Sequence, residues 1–377
     1  MQPIQMVDLR NQYLKIKSAI DHSLQEVIDT TAFIKGPAEQ RFARNLADFL
    51  NVKHVITCAN GTDALQIALM ALGLQYGDEV ITPTFTYIAT VEVVALLGLK
   101  PVFVDVNPET YTMDIGKLQA AITPRTRAIV PVHLYGMSAD MDAILQTANQ
   151  YNIPVIEDNA QAIGAECTLS DGSKAKTGTM GTIGSFSFYP SKNLGCYGDG
   201  GALCTNDDLL AEKLRMICNH GQKVTYYFDC IGVNSRLDSM QAAILDVKLK
   251  FLNEYTSLRQ AHAKKYDAAF TNITGIVTPQ IASYSTHVFH QYTIRVQNRD
   301  ALKSYLQEHG VPSMVYYPLP AHLQKAYLHY GYQVGDFPIS ERICKEVISL
   351  PMHTELNDEQ INFITSLVID FVNNNPK

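Results

Sequence analysis

Between residues 54 and 156 the chain alternates short, continuously apolar runs with amphipathic stretches, and no other feature restricts its fold as strongly. The runs begin at His54, Glu79, Pro101, Ala128 and Ile153, and between them helical spacing covers Asp63 to Leu72, Thr86 to Leu97 and Met141 to Tyr151. A strand that is apolar at every position is buried on both faces, which requires helices above and below it. The expected fold class is therefore α/β: a mostly parallel sheet sandwiched by helices. Lead-in helices fit residues 13–29 and 38–49, and the Asp171-Gly172 turn predicts a hairpin. After a helix ending near Cys218 comes a polar, aromatic stretch from His220 to Gly232. One continuous helical pattern over 238–270 then bridges a large domain (1–250) to a smaller α+β domain (251–377), which opens with a strand from His287 to Val296.

Composition excludes several classes of function. A chain of 377 residues that is 46% hydrophobic can fill one large core and a smaller attached one. A net charge of -7 and a pI near 5.9 argue against general affinity for nucleic acid or anionic membrane. The seven cysteines show no Cys-x-x-Cys spacing and read as the reduced thiols of a cytoplasmic protein. The start at Met1 lacks the pattern of a secretory leader. The most apolar later window, 89–104, is interrupted by Glu92, Lys100 and Pro101, so no membrane span is expected. His220 has no second ligand at metal spacing, and no metal is expected.

Four stretches carry residues suited to chemistry. Lys192 lies on a turn between an apolar run at Phe186 and Phe188 and a second strand at 202–205, followed by Gly195, Gly198, Gly200 and Gly201. Glycines that permit close backbone approach, with the Ser187 hydroxyl upstream, suit a lysine-bound aldehyde cofactor; a lone turn lysine is otherwise a surface charge. Asn60-Gly61-Thr62 follows a strand and opens a helix, so its N–H groups form either an anion site or an ordinary cap. Asp158, at the C-terminal end of a buried strand, can hold a protonated ring nitrogen or cap a helix, and Gln161 can donate to a phenolic oxygen on the same ring. Thr82 to Thr90 offers aromatics at another strand end, for ring stacking or for the core.

Taken together, Asn60 to Leu65, Glu157 to Gln161, Ser187 to Gly195 with Gly198 to Gly201, and Gly232 to Ala243 resemble the pyridoxal-phosphate-dependent nucleotide-sugar aminotransferases, in that family's order and over nearly the whole chain. The resemblance implies the aspartate aminotransferase fold type and a homodimer with active sites at the subunit interface. It assigns Lys192 as the lysine that binds pyridoxal 5'-phosphate and moves protons, Asp158 as the ring-nitrogen partner, Gln161 as the ring-hydroxyl contact and Tyr87 as the stacking aromatic. Gly61, Thr62 and Ser187 match the phosphate cradle, and Asn234 a phosphate ligand from the other subunit.

A finer resemblance, through Asn234 to Asp238 and Leu194 to Gly201, is to enzymes that aminate carbon 3 of UDP-2-acetamido-3-keto-glucuronate. It implies L-glutamate as donor and a place in surface polysaccharide synthesis of O-antigen type. Arg236, Tyr316 and Tyr317 are then candidate substrate contacts; Arg236 either grips a carboxylate or braces the arm against the neighbouring subunit. Tyr316 departs from the histidine of the glucuronate enzymes, which keeps a neutral 3-keto or 4-keto deoxy nucleotide sugar open as the substrate. A dehydratase using the same cofactor has histidine where this chain has Lys192. A cofactor-binding sensor remains the non-enzymatic alternative.

Overall fold

The structure is a computed structural model that describes residues 3–375; residues 1–2 and 376–377, the outer ends of the two expected domains and the start of the segment read for a leader, lie outside the described residues. Two helices lead in, α1 (Leu9–Thr30) and α2 (Pro37–Leu50). The alternation then unfolds as β1 (His54–Cys58), α3 (Gly61–Leu72), β2 (Glu79–Pro83), α4 (Ala89–Leu96), β3 (Lys100–Val104), α5 (Ile115–Ala121), β4 (Thr126–Ile129), α6 (Met141–Gln150) and β5 (Ile156–Asp158). A hairpin of β6 (Glu166–Thr168) and β7 (Lys174–Lys176) turns at Asp171-Gly172, before β8 (Ile183–Ser187), β9 (Gly201–Thr205) and α7 (Asp208–Ile217).

The strands run β3-β2-β4 and β5-β8-β9-β1, and parallel bridges from Ile129 to Val155 and from Val132 to Asp158 splice the two sets into one sheet. Within it β9 is antiparallel to both its neighbours, while β2, β3, β4, β5 and β8 pair in parallel. An antiparallel pair needs no helical crossover, so a single loop joins β8 to β9, and Lys192 lies on it. Helices cover both faces. Ala64, Leu65, Ala68, Val94 and Leu214 of α3, α4 and α7 pack on one face; α2 with Leu245 on the other, and α5 and α6 beside them.

Beyond α7 come a small hairpin, β10 (Gln222–Val224) with β11 (Tyr227–Phe228), and the helices α8 (Ser239–Leu249) and α9 (Leu252–Phe270). A second core follows. It joins Tyr266 and Phe270 to the antiparallel sheet of β12 (Ile276–Val277), β13 (Tyr292–Val296) and β14 (Val347–Leu350), with α10 (Arg299–Glu308) and α12 (Asp358–Asn374) behind. The remaining helix α11 (Pro338–Glu346) docks on the first half of the chain: Asp105, at the end of β3, accepts from the N–H groups of Ile339 and Ser340 at 3.0 and 2.9 Å.

Three expected elements differ. The single helix over 238–270 is two helices, because α8 tightens at its end into bonds from Lys250 N to Val247 O and from Phe251 N to Lys248 O; no glycine or proline marks the break. The helix expected from Thr86 starts at Ala89, and the Thr86 and Thr90 hydroxyls bond each other at 3.0 Å. The strand expected from His287 starts at Tyr292. The five residues before it form a connection in which Phe289 takes a φ of 47° and Val288 and Gln291 bond the backbone of Gly136 and Tyr135.

Candidate functional site

Parallel strands of one sheet bring their C-terminal ends to the same edge, and there the polar residues read from the sequence collect. Asp158 ends β5, Ser187 ends β8, Gly61 and Thr62 open the helix after β1, and Tyr87 lies on the turn after β2. Neighbouring Glu157 and Asp158 point to opposite faces of their strand. The Glu157 carboxylate is saturated, accepting from His133 Nε2 at 2.8 Å and from the N–H groups of Gly178, Met180 and Gly181 at 2.6–2.7 Å. Ala139 N donates to His133 Nδ1, so the histidine proton sits on Nε2 and is given to Glu157. Asp158 keeps spare capacity. It is 5% exposed and accepts from Thr90 Oγ1 at 2.8 Å and, loosely, from Ala160 N at 3.2 Å. Burial raises its carboxyl above the usual range, against the pull of those donors and of the Lys192 charge.

Lys192 sits on the β8–β9 loop, which Cys196 N closes on Phe188 O at 2.9 Å and Lys192 N closes on Tyr189 O at 2.8 Å. Burial pulls its amine down from 10.5 to about 8, with Asp158 opposing. Near neutral pH such an amine yields the unprotonated, nucleophilic form far more readily than an exposed lysine does.

Asn60 caps α3 by accepting from Asp63 N at 2.8 Å, so the cap and the anion site are not alternatives here: the N–H groups of Gly61 and Thr62 have no acceptor among the described residues. A Cβ on Gly61 would stand 2.7 Å from that of Ser187, so glycine lets the helix start lie against the end of β8. Gln161 is oriented by Tyr135 N, which donates to its Oε1 at 2.8 Å, while its Nε2 donates to Tyr317 Oη at 3.0 Å. Tyr87 is 56% exposed, its ring 6.0 Å from that of Tyr317. Tyr316 is half-buried and its carbonyl accepts from the Tyr135 hydroxyl.

Two sequence candidates stand apart. Asn234 is exposed, beside Ser235, whose hydroxyl accepts from Ala59 N and donates to Asp63 under the β1–α3 turn. Arg236 opens onto a different cleft of about 460 Å³, shared with Lys35, Arg44, His54, Thr57 and Arg215, none of which belongs to the group around Lys192. The sequence reading missed Thr90 and Tyr135. Thr90 falls one turn after Tyr87 in a threonine-rich stretch, a signal that becomes readable only once the helix start is known.

These groups fit pyridoxal phosphate: an amine to bind its aldehyde, a buried carboxylate for its ring nitrogen, and unspent N–H donors at a helix start for its phosphate. Fold and donor set together define a pyridoxal-phosphate enzyme of the aminotransferase type. The chain belongs to the DegT/DnrJ/EryC1/StrS aminotransferase family, whose model matches residues 14–368, and is a pyridoxal-phosphate-dependent sugar aminotransferase acting on nucleotide sugars.

It is 48% identical to a UDP-2-acetamido-2-deoxy-3-oxo-D-glucuronate aminotransferase of Pseudomonas aeruginosa, over 96% of this chain and 98% of that one. It is 46% identical to a pleiotropic regulatory protein of Geobacillus stearothermophilus, over 98% of both chains. A UDP-N-acetyl-3-dehydro-alpha-D-glucosamine 3-aminotransferase of Acidithiobacillus ferrooxidans is 44% identical, over 97% of both. Among solved structures, NtdA from Bacillus subtilis with bound cofactor PMP superimposes with a TM-score of 0.89 at 33% identity, over 99% of this chain and 86% of that one. No helix among the described residues is long and apolar enough to cross a membrane.

Proposed function

We propose that the chain transfers an amino group from L-glutamate to carbon 3 of UDP-2-acetamido-2-deoxy-3-keto-glucuronate, as a cytoplasmic homodimer supplying surface polysaccharide synthesis of O-antigen type. The observation that carries the chemistry is the half-buried Lys192 amine, lowered to about 8 by desolvation against the opposing charge of the buried Asp158 carboxylate. When bound, pyridoxal phosphate supplies an aldehyde that accepts the amino group and a ring that draws electrons from the carbon losing its proton. Lys192 would bind that aldehyde and, once freed by the donor, would carry the proton between the substrate carbon and the cofactor carbon that flank the transferred nitrogen. Asp158 would hold a proton on the ring nitrogen, and Thr90 keeps the carboxylate oriented. Gly61, Thr62 and Ser187 would cradle the phosphate. Gln161 would give its remaining amide hydrogen to the ring hydroxyl, and Tyr87 would be the aromatic that stacks on the ring.

The dimer completes the site. The hairpin arm exposes Val224, Tyr226, Tyr227 and Phe228, an apolar ribbon suited to a second copy of the chain, and exposed Asn234 at its base supplies a donor to the partner's phosphate. The glucuronate assignment draws support from the 48% identical Pseudomonas relative; Arg236, which stands apart from its own Lys192 and two residues after Asn234, would grip the carboxylate with its planar fork only in the partner's site. A relative named for a glucosamine substrate at 44% identity keeps the neutral sugar as the second reading, with Tyr316 and Tyr317 offering hydroxyls in either case.

The deciding measurement is kcat/KM for the 3-keto-glucuronate nucleotide and for its neutral 6-hydroxy counterpart, in wild type and in Arg236→Gln. A lost charge-assisted contact costs about 1.5–3 kcal/mol, so wild type should prefer the acid by about tenfold or more and the variant should lose most of that preference. Equal use of both sugars by wild type rejects the glucuronate substrate and leaves the transamination intact.

A further inference from the structure

Lys248, on α8, is 1% exposed and has no carboxylate within salt-bridge distance among the described residues. Its Nζ donates to the carbonyl of Gly195 at 2.5 Å and lies 5.4 Å from the centre of the Tyr197 ring. A buried ammonium with one carbonyl and one ring for company is a costly way to fill a core position, since methionine would occupy similar space without desolvating a charge. Burial accordingly pulls this amine from 10.5 to about 8.

What the position offers is access to the loop that carries Lys192. Residues 189–195 form no helix or strand, so the place of the Lys192 amine depends on a few loop bonds. Gly195 is buried, and its Cα packs so closely on the opposite limb that a Cβ would stand 2.3 Å from Pro190 O and 2.7 Å from Tyr189 O. Holding the Gly195 carbonyl therefore holds both limbs. A second clamp, from Asn193 Nδ2 to Val288 O at 2.9 Å, grips the residue next to Lys192 and ties it to the connection before β13.

We propose that Lys248 is a positioning residue for catalysis, its charge-assisted bond to Gly195 fixing the loop from which Lys192 reaches the cofactor. The inference rests on the reading of Lys192 as the cofactor lysine. It distinguishes Lys248 from a core plug, because a plug contributes to melting whereas a positioning residue contributes to cofactor capture and to kcat.

The test uses full-length Lys248→Met and Lys248→Gln. Three readouts are taken: melting temperature of the cofactor-free protein, the rate and affinity of pyridoxal phosphate binding from its visible absorbance, and steady-state kinetics. The expected result for Lys248→Met is melting at or above the wild-type temperature, with cofactor binding and kcat each falling about ten- to a hundredfold and sugar KM little changed. Lys248→Gln, which keeps a neutral donor of shorter reach, should fall between. Wild-type binding and kcat in Lys248→Met overturn the proposal. So does a drop in melting temperature in both variants that accounts for the lost activity, since that assigns Lys248 to general stability. Lys192→Ala is run alongside: turnover surviving there rejects the Lys192 reading itself, whereas an inactive Lys192→Ala beside a normal Lys248→Met rejects this inference alone.

Discussion

The Lys192 loop and the hairpin arm of residues 222–231 lie close together in the chain, but one is closed by contacts from the rest of the chain and the other is not. The loop has its ends bonded at Phe188 and Cys196, its tip turned at Tyr189 and Lys192, and two side-chain clamps from Asn193 and Lys248. The arm is a two-stranded ribbon with a register shift between Gln222 and Val224, and it exposes Tyr226 at 84% and Ile231 at 87%. A short ribbon showing its apolar side to water is marginal alone. The contrast shows that chemistry placed on an irregular loop requires bonds from the surrounding scaffold, whereas the arm lacks such bonds and leaves its apolar side chains for the proposed second copy to cover.

Breaking the loop's function outright should give the largest effect. Lys192→Ala is expected to lose the visible absorbance of bound cofactor and to lower turnover by about a thousandfold or more, the scale of removing a positioned proton-transfer group. Spectra with and without L-glutamate, beside initial rates, check both halves.

The arm is tested by mixing subunits. Lys192→Ala and Asn234→Ala homodimers should each be inactive, whereas a mixed dimer keeps one intact site if Asn234 serves the partner. An equimolar, freely exchanged mixture should therefore recover about a quarter of the wild-type rate, half the dimers being mixed and half their sites intact. No recovery, with mixed dimers demonstrated, would place Asn234 in its own subunit's site.

The smallest expected effect sharpens the loop side. The neutral Lys192 amine is the reactive form and its pKa is lowered to about 8, so the rate of cofactor capture should rise about tenfold per pH unit below that value and level off above it. The charge on Asp158 opposes the lowering, so Asp158→Asn should move the midpoint to lower pH. Stopped-flow absorbance on cofactor-free protein reads both.

The sequence by itself determined what local chemistry dictates. Continuous apolar runs at Val80 and Ile81, or at Ile129 and Val130, have to be buried on both faces, and this made the α/β sheet legible. Asn60-Gly61-Thr62 before an apolar helix announced a helix start, whose cap proved to be Asn60, and the turn with its glycines announced the β8–β9 loop. The tertiary structure decided what depends on partners far away in the chain. Nothing near Asp158 indicates that Thr90, 68 residues earlier, will hold its carboxylate, and nothing near Lys248 indicates that Gly195, 53 residues earlier, will receive its ammonium. Periodicity could not see the break between α8 and α9, since a helix that ends by tightening its last turn keeps its apolar spacing. Nor could alternation tell that His287 to Gln291 would leave strand geometry to meet Gly136, because a backbone bond made to a residue as remote in the chain as Gly136 is from Val288 leaves no mark on the side chains beside it.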